Sequence, residues 1–142
     1  MSVQLSPYLS FKDNARQAME FYQTVFGGKL DISTFGESGM GADSAEGTKV
    51  MHAMLAGDNG VTFMASDTPE HMEYRPGASI SMSLSGDDQA RLTDYFTKLA
   101  EDGTITMPLD KAPWGDTFGM LTDKFGINWM VNITASAPAE NA

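Results

Sequence analysis

The chain has 142 residues, 42% of them hydrophobic and 20% charged. That length suits one compact domain, because such a chain buries about two-thirds of its unfolded surface. It has no Cys and a formal net charge of −10. These two facts exclude a disulfide framework, a thiolate metal site and a cysteine nucleophile, and argue against nucleic acid and anionic membranes as partners. No apolar run is long enough to span a bilayer. The first residues, Met1-Ser2-Val3-Gln4, lack the basic-then-apolar pattern of a secretion signal. The expected location is therefore cytoplasmic.

The first predicted element is a strand over 3–11. Val3, Leu5, Leu9 and Phe11 fall on one face, and Ser6, Tyr8 and Ser10 on the other. Asp13 or Asn14 then caps a helix carrying Ala15, Ala18, Met19, Tyr22, Val25 and Phe26 at helical spacing. Gly27-Gly28 ends it. Strands are predicted over 30–35, 49–56 and 61–66. The segment 36–47 reads as a mobile loop whose Glu37, Asp43 and Glu46 solvate it.

A polar link over 67–78, with Pro69, Pro76 and Gly77, leads to a second half in the same order. A strand over 79–84 alternates Ile80, Met82 and Leu84 with serines. Asp87-Asp88 caps a helix carrying Leu92, Tyr95, Phe96, Leu99 and Ala100, and Gly103 stops it. Strands follow over 104–109, 117–122 and 128–133. The chain thus reads β-α-β-β-β twice, as two modules at about 1–67 and 78–134. The tail over 135–142 lacks apolar periodicity and is expected to fray.

Several segments together resemble the PhnB-like branch of the vicinal oxygen chelate superfamily, which includes glyoxalase and bleomycin-resistance proteins. They are Leu5-Ser6-Pro7-Tyr8-Leu9-Ser10-Phe11, Phe21-Tyr22-Gln23-Thr24-Val25-Phe26-Gly27-Gly28, His52-Ala53, Met64-Ala65-Ser66-Asp67, and the run from Thr122 through Gly126-Ile127-Asn128-Trp129-Met130-Val131 to Asn132. The resemblance implies an α+β fold of two βαβββ modules within a single domain over 1–134. Each mixed sheet would curve into a cup with its helix outside, and a homodimer commonly completes the cavity, sometimes by exchanging halves. Some relatives are labelled demethylubiquinone methyltransferases. That chemistry calls for a nucleotide-type cofactor cradle, and the Gly cluster Gly36-Glu37-Ser38-Gly39-Met40-Gly41 is followed by no helical pattern.

Metal-using superfamily members hold a divalent ion on His or Glu from the first and last strands of each module. By strand phase those positions fall here on Ser6 (or Pro7), Met64, Ser79 and Met130. A hydroxyl and a thioether are poor ligands for Ni, Zn, Mn or Fe. The expectation is therefore no metal and no cofactor, and a small organic molecule as the partner. The alternative is a metal-dependent lyase, isomerase or dioxygenase with a rearranged site around His52.

Five residues are candidates for ligand contact. His52 lies in an apolar strand, where it faces the cup as a base or hydrogen-bonding group, or forms a structural bond. Tyr8 offers its hydroxyl to a ligand or packs on a neighbouring strand. Trp114, beside Pro113 and Gly115, walls an apolar site, covers core or contacts a partner subunit, and Phe118 joins it. Asn128, in phase with Met130 and Asn132, is a polar pocket residue, whereas Trp129 faces a helix. Asp67 caps the following turn or sits at the pocket mouth. His71 reads as a solvated link residue. Most of the eleven Met are core, and some line a soft cavity.

Overall fold

The computed structural model describes residues 5–39, 45–77 and 79–135. Among them the order is β1 (Tyr8–Phe11), α1 (Ala15–Phe26), β2 (Lys29–Thr34), β3 (Val50–Ala56), β4 (Thr62–Asp67), β5 (Met82–Gly86), α2 (Gln89–Leu99), β6 (Thr104–Lys111), β7 (Thr117–Thr122) and β8 (Asn128–Ile133). The chain divides between Pro76 and Gly77 into two units. Among the described residues each holds a four-stranded mixed sheet and one α-helix. The strand orders are β1-β4-β3-β2 and β5-β8-β7-β6, with the first and last strand of each unit parallel and the other neighbours antiparallel.

In the first unit α1 packs on β2, β3 and β4. All six of its predicted apolar residues are buried. Tyr22 and Phe26 meet Phe63 of β4 edge-on, at centroid distances of 5.4 and 6.2 Å. Neither Asp13 nor Asn14 caps this helix through its side chain. The buried carboxylate of Asp67 does so instead: its oxygens accept from Ala15 N and Val50 N, both at 2.9 Å. One side chain at the end of β4 thus ties the start of α1 to the start of β3. A turn of φ +86° at Gly28 brings its Cα so close to the Ala56 carbonyl that no Cβ fits. Glu37 does more than solvate its loop. It closes a capping box with Thr34, accepting from Thr34 N at 2.7 Å while its own N–H donates to Thr34 Oγ1 at 3.2 Å. Asp43, and the tail from residue 136, lie outside the described residues.

In the second unit Asp88 caps α2, its side chain accepting from Arg91 N at 3.1 Å. The helix packs on β5 and β8 and buries Leu92, Tyr95, Phe96 and Leu99. Ala100 is the C-cap and only partly buried. Trp129 is 2% exposed, and its indole N–H donates to the buried Asp123 carboxylate at 2.9 Å. The other Asp123 oxygen accepts from Phe125 N and Ile127 N and shapes the β7–β8 turn. Two predicted strands are corrected here. The one placed over 79–84 is Met82–Gly86, and Ile80 is 82% exposed. Alternation alone carried the strand too far back, into the link that begins after Asp67. The strand placed over 104–109 continues to Lys111, through two register shifts against β7.

No helix among the described residues is long and apolar enough to cross a membrane.

Candidate functional site

Each sheet has one face under its helix. Strand alternation sends every second side chain to the other face, called the open face below. In the first unit the helix face carries Phe11, Ala53, Leu55, Phe63, Ala65 and Asp67, all buried. The register then fixes the open face. One row runs across all four strands: Asp31, Met54, Met64 and Tyr8, paired in that order. Beside it, Ser33 pairs with His52, and Ser66 with Ser10.

The second unit repeats the arrangement. One row runs Met107, Met120, Met130 and Ser83, and the next runs Asp110, Phe118, Asn132 and Ser85. Thr122 and Asn128 form a third step, and Thr122 Oγ1 donates to Asn128 Oδ1 at 2.7 Å. Methionine pairs therefore occupy the middle of both open faces, Met54 with Met64 and Met120 with Met130. Met82, by contrast, lies on the helix side, paired with the buried Trp129.

The candidate residues fall into two groups, one in each unit. Tyr8 and His52 share the first open face, with ring centroids 6.0 Å apart. Trp114 and Phe118 stand together in the second unit at 5.6 Å, in an edge-to-face arrangement of 65°. Trp114, in the β6–β7 hairpin, is 61% exposed. Its indole N–H donates to Asn132 Oδ1 at 3.4 Å, and Asn132 Nδ2 donates to Asp116 Oδ2 at 3.0 Å. The second Asp116 oxygen accepts from Ala135 N at 3.0 Å. These bonds, from Ala135 N first and the Asn132 amide second, hold the Asp116 carboxyl below its ordinary range. Asp116 and its link to Asn132 were not legible as site residues. The phase of Asn132 with Asn128 was the one available signal.

The positions compared with a metal site also shift. Ser6 and Ser79 lie outside the strands, just before β1 and β5. The side chains facing Met64 and Met130 across the parallel pairs are Tyr8 and Ser83. A phenol, an alcohol and two thioethers at these four places do not fit a hard divalent ion. Among the described residues no three His, Asp or Glu side chains stand close enough to hold a metal. Asp67, considered for a pocket mouth, faces the helix and holds backbone N–H groups. His71 is an exposed link residue.

A family model described as 3-demethylubiquinone-9 3-methyltransferase matches residues 3–132. Protein YjdN of Escherichia coli (strain K12) is 31% identical, across 96% of this chain and 99% of its own. Protein PA1353 of Pseudomonas aeruginosa superposes with a TM-score of 0.81 at 36% identity, over 95% of this chain and 100% of that one. The PhnB protein of Bacillus cereus does so at 0.73 and 30%, over 93% and 100%. At 16% identity the likeness is of fold alone. A glyoxylase/bleomycin resistance protein/dioxygenase domain from Frankia sp. EAN1pec aligns over 94% of this chain and 98% of its own, with a TM-score of 0.64.

Proposed function

The chain belongs to the PhnB-like 3-demethylubiquinone-9 3-methyltransferase family, on the glyoxalase/bleomycin-resistance fold, and on that premise we propose that it binds a small, partly apolar organic molecule against the open, cup-forming faces of its sheets, without a catalytic metal or an organic cofactor. The observation that carries this reading is the composition of those faces. Rows of paired methionines supply a soft, adaptable apolar surface. Rings at Tyr8, His52, Phe118 and Trp114 border them, and serines, Asn128 and Asn132 provide directional hydrogen bonds. Methyl transfer is not part of the proposal. The glycines Gly36 and Gly39 serve a single 3-10 turn, Gly36–Ser38 and its cap, locked to Thr34. We further propose a cytoplasmic homodimer, with residues 1–134 as one functional domain.

The test is a chemical-shift screen of small organic fragments against labelled protein. Shifts concentrated at Tyr8, His52, Phe118 and Asn128 are expected. A library of aromatic and aliphatic fragments that moves no open-face resonance in either unit overturns the reading.

One observation favours a second reading, a metal-dependent enzyme of lyase, isomerase or dioxygenase type with a rearranged site. His52 and the Tyr8 phenol share one face at short range, and imidazole is the commonest protein metal ligand. On this reading His52→Ala abolishes metal binding and leaves the fold intact. Metal that survives the substitution rules it out.

A further inference from the structure

The aromatic corner of the second unit has a charge pattern that narrows the ligand further. We propose that Trp114, Phe118, Asp110 and Asp116 form a subsite for an organic ammonium cation. The inference rests on the reading of the open face as an organic-ligand surface and adds the sign of the ligand's charge.

The geometry supports it from two directions. Trp114 and Phe118 touch edge-to-face, and Trp114 remains 61% exposed, so much of its ring surface is available. The negative face of an indole attracts a cation more strongly than any other side-chain ring, and weakly hydrated alkylammonium groups lose little by leaving water. Carboxylates then flank the pair. Asp110 stands opposite Phe118 on β6, and Asp116 follows Trp114 by two residues and joins it through the Asn132 amide. A carboxylate has about four acceptor positions. At Asp116 the bonds from Ala135 N and Asn132 fix the group and leave capacity for a ligand.

The basic residue nearest in sequence, Lys111, does not cancel this field: it pairs with Thr117, one register step out of phase with Asp110 and Phe118. Its side chain therefore leaves the strand on the opposite side. The chain's net charge of −10 acts in the same sense, drawing cations and repelling anions. A bare divalent ion is a poorer occupant. It gains nothing from ring faces that an ammonium does not, and it asks for more oxygen ligands than two separated carboxylates supply.

The experiment titrates full-length protein, in about 150 mM salt where surface attraction is screened, with benzyltrimethylammonium, benzyl alcohol and benzoate in parallel. Indole fluorescence and the Trp114 Nε1–H resonance are the readouts, since Trp129, the other indole, is buried. The cation is expected to bind at least tenfold more tightly than the alcohol, and benzoate least. Trp114→Ala should abolish the preference, and Asp110→Asn with Asp116→Asn should reduce it about tenfold. Asp110→Asn alone, at an exposed edge residue, should show part of the loss without any effect on folding. Equal binding of cation and alcohol overturns the cation subsite and leaves the organic-ligand reading standing. No shift at any open-face resonance with all three probes overturns both.

Discussion

Tyr8 and His52 bring their rings to 6.0 Å at a tilt of 52°, although β4 lies between their strands. The two side chains reach over β4 because both point away from α1, and Tyr8 rises beside Met64. In the second unit the same two places, by register, hold Ser83 and Phe118. The two open faces thus share a plan and differ in chemistry: phenol and imidazole on one, an aromatic pair with carboxylates on the other.

Asp67 should prove a structural keystone of the first unit. Its replacement by Ala strands the N–H groups of Ala15 and Val50, and the expected loss is about 2–4 kcal/mol of unfolding free energy. Urea denaturation measures it. A loss below about 1 kcal/mol would mean that solvent or another acceptor replaces the carboxylate.

Gly119 should not accept a side chain. A Cβ there would stand 2.8 Å from Leu109 Cα and 2.9 Å from Phe96 Cε2. Gly119→Ala is expected to cost about 1–3 kcal/mol through overpacking between α2 and β7. A thermal melt unchanged from the parent would contradict the tight packing at this point.

Trp129→Phe tests the Asp123 turn. The substitution keeps most of the ring volume and deletes the indole N–H that donates to Asp123 at 2.9 Å. An expected loss of about 1–3 kcal/mol reflects a buried carboxylate oxygen left short of a donor. Amide exchange at Phe125 and Ile127, whose N–H groups bond the other oxygen, should rise in parallel.

Asp116 sets a pH signature. Its folded carboxyl titrates below the ordinary value, so the unfolded chain binds the proton more readily. Its contribution to stability is therefore fully present above the unfolded value of about 3.9. It is lost as pH falls through the lower folded value. The stability gap between the parent and Asp116→Asn should be widest near neutrality and narrow in acid. A gap that stays constant into strong acid would show that the Ala135 and Asn132 bonds do not depend on the charge.

The fold was readable where an element carried its own period, although β1, read over 3–11, runs only from Tyr8 and leaves Leu5 98% exposed. The six buried residues of α1 sit at helical spacing, and β7 and β8 alternate without interruption over 117–122 and 128–133. β5 was misplaced because the alternation of Ile80 with serines continues past the point where pairing begins at Met82. Local pattern does not encode where a partner strand starts. The site was legible only in part. Phase put Met64 and Met130 on the open faces and Trp129 under the helix. Asp116 was silent, since its role depends on a hairpin tip folding back to Ala135, 19 residues on. Asp67 read as a cap of the following turn or a pocket-mouth residue because its true partners, Ala15 and Val50, lie 52 and 17 residues away.

The most direct test of metal-free ligand binding is native mass spectrometry of the protein as purified, with no chelator at any step. A dimer mass with no stoichiometric divalent ion is expected, with an organic adduct when ligand is carried through. A dimer carrying one divalent metal per chain would contradict metal-free binding and move the His52-centred enzyme to first place.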